Sequence, residues 1–217
     1  MSQILTLVGI STLQTLEMVL FSTLFSMVIG FPLGVLLYST NSMGITPRPI
    51  LNQVLSRIVN VLRSFPFIIL MILLFPLSRL ILGTSIGTTA TIIPLSIAAA
   101  PFVARLVETA LLEVDPGMIQ AARVMGSTNS QIIYKVLIPE SMPSLVSGIT
   151  LTIINLIGYS AMAGTIGGGG LGDLAIRYGY QRFRPDVMAA SVVVIIVMVE
   201  VIQFIGTRIA NRMLANR

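Results

Sequence analysis

Residues 120–139, "QAARVMGSTNSQIIYKVLIP", form a polar island with a central glycine in an otherwise very apolar chain. Just before it, Asp115-Pro116-Gly117 has the form of a helix start. Asp suits the N-cap, Pro the first helical position, and the macrodipole favours the acid. Met118, Ala121, Ala122 and Met125 recur at three- and four-residue spacing and share one helical face, with Gln120 and Arg123 off it. Gly126 suits the left-handed C-terminal position. The chain then restarts. Thr128 to Gln131 fits a capping box, which opens a second short helix through Ile132, Ile133 and Val136 that must end before Pro139. Two short helices thus meet at a glycine. They either cover the ends of longer helices or touch something outside the bilayer.

The surrounding chain supplies the bilayer. Of 217 residues, 55% are hydrophobic and 10% charged, which puts the sequence in the membrane class. Uncharged runs at 18–47, 64–78, 80–104, 141–172 and 187–199 have helical rather than barrel-strand length. They predict an all-α membrane protein with five transmembrane helices at about 13–38, 56–78, 86–107, 143–164 and 187–208. All of 1–217 reads as one membrane domain, with a cytoplasmic loop at 108–142. No basic n-region precedes the first apolar segment, so that segment is expected to stay as a helix. The chain has neither cysteine nor histidine, which excludes disulfides, thiol nucleophiles and the usual zinc sites.

Basic residues orient the helices, because they are retained in the cytoplasm. One side holds Arg79, Arg177, Arg182 and Arg184 in its loops. The other has Arg48, Arg57 and Arg63 around the first loop, Arg105, Arg123 and Lys135 around the second, and Arg208, Arg212 and Arg217 at the end. The expected arrangement therefore has the N-terminus outside, the C-terminus cytoplasmic and the polar island in the cytoplasm. The net charge of +5 needs no nucleic acid to explain it.

"QAARVMG", nine residues, then "VLIP" resembles the EAA loop of permease subunits in ATP-driven importers, whose pattern is Glu-Ala-Ala, three residues, Gly, nine residues, Ile-x-Leu-Pro. Ala121, Ala122, Gly126 and Pro139 match in spacing, Val136 and Ile138 are conservative, and Gln120 replaces the glutamate. "RSFPFIILM" at 63–71, the stretch 83–126 and "IGYSAMAGTIGGGGLGDLAIRYGYQRF" at 157–183 look like the methionine-type permease, five-span size included. The resemblance covers almost everything after residue 20. It implies a type I importer permease in the bacterial inner membrane, working as a homodimer with two cytoplasmic ATPase subunits and an extracytoplasmic substrate-binding protein. ATP and Mg would be bound by the ATPase partner. Met118, Gln120, Ala121, Ala122, Arg123, Met125, Gly126 and Pro139 would form the coupling surface. The alanines would allow close approach, and the methionines would act as adaptable knobs.

Other features remain open at this level. "GGGGLG" at 167–172 formally matches a dinucleotide-binding pattern, but it follows a membrane helix rather than a strand, and a bendable outer loop is the better reading. No P-loop is present, so ATP must be bound elsewhere. Tyr159, Ser160 and Met162 lie near the outer end of the fourth span and suit a translocation path or gate, or ordinary packing. Gly30 and Gly34 have GxxxG spacing around Pro32 and read either as a close helix contact or as a relieved proline kink. Glu200 is an acid well inside a span. It would pair with Arg57 or Arg63, face an aqueous cavity, or carry protons in an alternative, gradient-driven carrier. A permease for another small amino acid, or an ATPase-linked protein that moves no solute, is the remaining alternative.

Overall fold

Proline decides where the helices of this chain break and where they pass through. The computed structural model describes residues 2–215, and every regular element among them is helical. In order these are α1 (Ser2–Thr40), α2 (Pro49–Ser64), α3 (Phe67–Leu82), α4 (Thr88–Leu112), α5 (Pro116–Val124), α6 (Asn129–Ile132), a π-turn (Ile133–Leu137), α7 (Ile138–Gly164), α8 (Gly170–Leu174), a second π segment (Ala175–Tyr180) and α9 (Pro185–Ala215). Arg217, counted above among the basic residues, lies outside the described residues.

Four helical stretches are long and apolar enough to cross a membrane: Ile4–Thr40, Thr88–Leu112, Asn129–Gly164 and Pro185–Ala215. A fifth crossing requires α2 and α3 together, and they are bent by 102°. The single helix expected over 56–78 is therefore a broken pair. Pro66 is the cause: it has no N–H to donate, and its ring holds Phe65 in an extended conformation at φ −68°, ψ 131°. The other four expected helices are present, each running past at least one of its expected ends.

At Pro139 the opposite happens. The second short helix was expected to stop there, yet the chain runs helically from Asn129 to Gly164. A π-turn precedes Pro139. The Ile138 N–H donates to the Ile133 carbonyl, five residues back, and the wider turn carries the helix past a proline that lacks a donor.

α1 and α4 pack closest along Gly30 and Gly34. A Cβ on Gly30 would lie 2.5 Å from the Ala100 carbonyl oxygen, and one on Gly34 2.6 Å from that of Ala104. One α4 repeat of four residues thus meets one α1 repeat of four, which is a close helix contact rather than a kink device. Pro32 itself is exposed.

α2 is fastened by polar contacts. Arg105 on α4 donates from Nη2 to the Ser56 carbonyl (3.1 Å) and to Asn60 Oδ1 (3.0 Å), while its Nη1 pairs with buried Glu108 at 2.6 Å. Asn52 Nδ2 adds a bond to the Leu37 carbonyl at 2.8 Å.

The glycine run is also corrected. Gly170, Leu171 and Gly172 are buried, the Gly170 N–H donates to Gln14 Oε1 at 3.0 Å, and the Leu171 N–H donates to Thr15 Oγ1 at 2.9 Å. Small residues let the backbone come within bonding distance of α1, so the segment is a seated turn and not a bendable loop.

Candidate functional site

The polar island folds into two caps joined at Gly126. Asp115 Oδ1 accepts from the Gly117 N–H at 2.8 Å and opens α5. At the far end Ser127 N–H donates to the Ala122 carbonyl (3.1 Å) and Gly126 N–H to that of Arg123 (2.9 Å), with Gly126 at φ +80°. These two bonds make a Schellman motif, which a left-handed residue must close. Thr128 and Gln131 then form the full capping box that starts α6.

This unit sits on the bundle by one face. Ile119 and Ala122 pack against a cluster that includes Tyr38, Ile45, Leu111, Ile132 and Leu145. Ala122 is 2% exposed, so it does not share the face of Met118, Ala121 and Met125 as its spacing suggested. It seats α5, and cannot also meet a partner. Arg123 is exposed, and its Nη2 also donates back to the Ile45 carbonyl at 3.0 Å. Pointing outward are Met118, Gln120, Ala121 and Met125, together with Val124 at 88% and Tyr134 at 71% exposure. Val124 and Tyr134 were not singled out in the sequence. Position 124 lies one helical turn beyond Gln120 and Ala121, and that spacing was the available signal. Large apolar side chains exposed on a polar connection mark a contact surface. Pro139 lies at the start of α7, exposed beside this surface.

A second site lies at the α2–α3 break. A cavity of about 210 Å³ is lined by Leu62, Arg63, Phe65, Phe67, Leu70, Ala98, Phe102 and Tyr159. Tyr159 and Phe67 stack with ring centroids 4.4 Å apart and planes within 4°. The Arg63 guanidinium stands 5.8 Å from the centre of the Phe102 ring. Phe102 is near the middle of α4, so Arg63, exposed in the last turn of α2, reaches toward the level of mid-α4.

Only Tyr159 of the three expected path residues lines this cavity. Ser160 is buried, with its hydroxyl donating to the Ile157 carbonyl at 2.8 Å. Met162 is 45% exposed on the last turn of α7. Glu200 lies midway along α9 on an exposed face. The ion pairs among the described residues are Arg105–Glu108, Arg177–Asp173 and Arg184–Asp186, so the expected pairing of Glu200 with Arg57 or Arg63 is not made.

The family model described as "Binding-protein-dependent transport system inner membrane component" matches residues 30–215. The chain belongs to that family. As a member it is a multi-pass permease component, and it is similar to permeases of comparable length. It is 52% identical to the probable D-methionine transport system permease protein MetI of Pasteurella multocida over 206 residues, 95% of each chain. It is 50% identical to the methionine import system permease protein MetP of Bacillus subtilis over 176 residues, covering 81% of this chain and 79% of that one. Among solved structures, an inward-facing conformation of the MetNI methionine ABC transporter superimposes with a TM-score of 0.96 at 46% identity, covering 98% of this permease and 99% of that chain.

Proposed function

We propose that this chain is the membrane-spanning subunit of an ATP-driven importer for methionine, D-methionine and close derivatives included. The observation that carries the reading is the end-to-end superposition on a chain of a methionine ABC transporter at 46% identity. Two copies of the chain would enclose the path, two ATPase subunits would bind the cytoplasmic side, and an extracytoplasmic binding protein would deliver substrate. The basic residues around α5 and α6 support an outside N-terminus and a cytoplasmic C-terminus.

Coupling runs through the exposed face of α5 and the α6 start. Met118, Gln120, Ala121, Met125 and Val124 enter the ATPase groove, with Tyr134 beside them. Ala122, Arg123 and Gly126 hold that face in place, and the unbroken helix from Asn129 through Pro139 to Gly164 carries displacement from the groove to Tyr159. When the ATPases close on ATP, the two coupling units move together and the permease copies rock. The path then opens outward, and hydrolysis returns it inward. Tyr159 lines the path, Ser160 braces its helix from behind, and Met162 closes it against the second copy.

The test is uptake of labelled L- and D-methionine in a strain lacking its own methionine importer, with this chain and its ATPase and binding-protein partners restored together. Uptake that requires ATP and all three components supports the assignment. Uptake of a different small amino acid, with none of methionine, would overturn the substrate.

A further inference from the structure

Arg63 is a cation without an anion. It stands in the last turn of α2, just before the Pro66 break, its guanidinium lies over Phe102 near the middle of α4, and no carboxylate among the described residues pairs with it. Charges at this depth in a membrane protein are retained where they meet a partner or a transported solute. The cavity that Arg63 lines supplies the rest of a binding site. Phe65, Phe67, Phe102 and Tyr159 give it aromatic walls, no acidic side chain lines it, and its volume of about 210 Å³ is below the roughly 300 Å³ at which sites for drug-sized ligands begin.

We propose that this cavity is a substrate subsite for a small zwitterionic amino acid with an apolar tail, in which Arg63 receives the α-carboxylate. The inference rests on the importer reading above and deepens it, since it gives the permease a recognition step of its own. A guanidinium offers paired donors that match a carboxylate in a bidentate fork. The ammonium is accommodated against the aromatic wall, where a ring quadrupole attracts a cation. A thioether or aliphatic tail packs against Phe65, Phe67 and Leu70, and sulfur–aromatic contacts favour the thioether. With Arg63 as the sole charge, the site repels ligands of net positive charge. A substrate lacking the carboxylate loses its main contact.

Photo-methionine tests this, because its diazirine replaces the thioether while the carboxylate and ammonium remain. The complex of this chain with its ATPase partner, in nanodiscs without binding protein, is labelled under light, and modified peptides of this chain are mapped by mass spectrometry. Labels are expected within 62–70, at 98–102 and at Tyr159. They should fall at least tenfold with Arg63→Gln, partly with Arg63→Lys, and at least tenfold when the wild-type complex meets the carboxamide form of the probe. In the Arg63→Gln complex, acid and amide forms should label equally, as expected when residue and ligand group form one coupled pair. Should Arg63→Gln fail to assemble, the acid-against-amide comparison on the wild type decides alone. Equal labelling by both forms in the wild type overturns the proposal. So does loss of labelling with Glu200→Gln as large as with Arg63→Gln, which would assign Arg63 to an ion pair between copies. If the wild-type complex takes up no methionine, the importer reading fails; uptake with labels confined elsewhere removes only this subsite.

Discussion

The Arg123 guanidinium donates to the Ile45 carbonyl at 3.0 Å, a bond that joins α5 to the loop after α1 across 78 positions of chain. A side chain expected to face a partner thus also ties α5, the proposed coupling helix, to its own bundle. Arg123→Ala should loosen the unit without unfolding the chain, since a partly buried charge-assisted bond contributes about 1 kcal/mol after solvent screening. Hydrogen exchange read over residues 116–126 should speed up by about fivefold, while α4 stays as protected as before. Unchanged exchange there would mean that Ile119 and Ala122 suffice to seat α5.

Gly126 separates backbone conformation from side-chain size. Its φ is +80°, and a Cβ built on it meets nothing within 4 Å. Any side chain fits in space, but most are strained by about 1–2 kcal/mol in the left-handed region, and Asn tolerates it best. Gly126→Val is therefore predicted to weaken retention of the ATPase subunit and to reduce uptake strongly, with Gly126→Asn close to wild type. Equal losses in both variants would show that bulk against the partner, and not the turn, makes glycine necessary.

These two residues show what the sequence made legible. Hydrophobic runs and caps act over a few residues, so four spans, the Asp115 cap, the Thr128–Gln131 box and the turn at Gly126 could be read directly. Features set by three-dimensional neighbours could not. Pro66 breaks a helix, whereas Pro139, after a π-turn, and Pro32, Pro76, Pro94, Pro101 and Pro143, without one, stand within helices that continue. Spacing put Ala122 with Met118 and Met125, whereas the seat offered by Ile45 and Leu111 turns it inward. Arg63 reads as a cation near the cytoplasmic end of a span until the broken helix brings it over Phe102.

The α1–α4 contact gives a steric prediction with its own control. A leucine at Gly34 has to displace the Ala104 carbonyl and Val107, both within 2.6 Å of the Cβ position. Overpacking of this kind typically costs 1–3 kcal/mol or more, and backbone cannot rotate aside as a side chain does. Gly34→Leu should lower the thermal midpoint of the purified chain markedly. Gly158, within α7 and with nothing inside 4 Å, should accept alanine without loss and gain up to about 1 kcal/mol of helix propensity. A Gly34 variant as stable as the Gly158 one would remove the close-contact account of the GxxxG spacing.

The outward face of α5 can be probed without touching the fold. Val124 and Met125 are 88% and 78% exposed, so glutamate at either position leaves the packed face of Ile119 and Ala122 intact. Burying that charge in an apolar partner groove costs several kcal/mol unless it is paired. Met125→Glu and Val124→Glu are each expected to reduce co-purification of the ATPase subunit by more than tenfold while membrane yield and thermal midpoint stay put. Ala122→Leu should do the reverse, lowering the midpoint first. If the two glutamates leave ATPase binding untouched, the coupling face lies elsewhere on the loop.

Glu200 decides between an ATP-driven permease and a proton-coupled carrier. A relay needs a chain of ionisable or hydroxyl groups, and this carboxylate makes no ion pair among the described residues; its exposed neighbours on α9 include Ile196, Val197 and Phe204 and also Gln203, which bonds to Thr207. An acid well inside a span costs about 2.5–3.5 kcal/mol in lipid, and Gln203 and Thr207 lie one and two turns along from it, which argues that the face meets water or another copy rather than acyl chains. Glu200→Gln keeps size and hydrogen bonding while removing the titratable proton. We expect it to retain at least half of ATP-driven uptake, and vesicles given a proton gradient but no ATP to take up nothing with either side chain. Gradient-driven uptake in the wild type that disappears in Glu200→Gln would instead make this carboxylate the proton site.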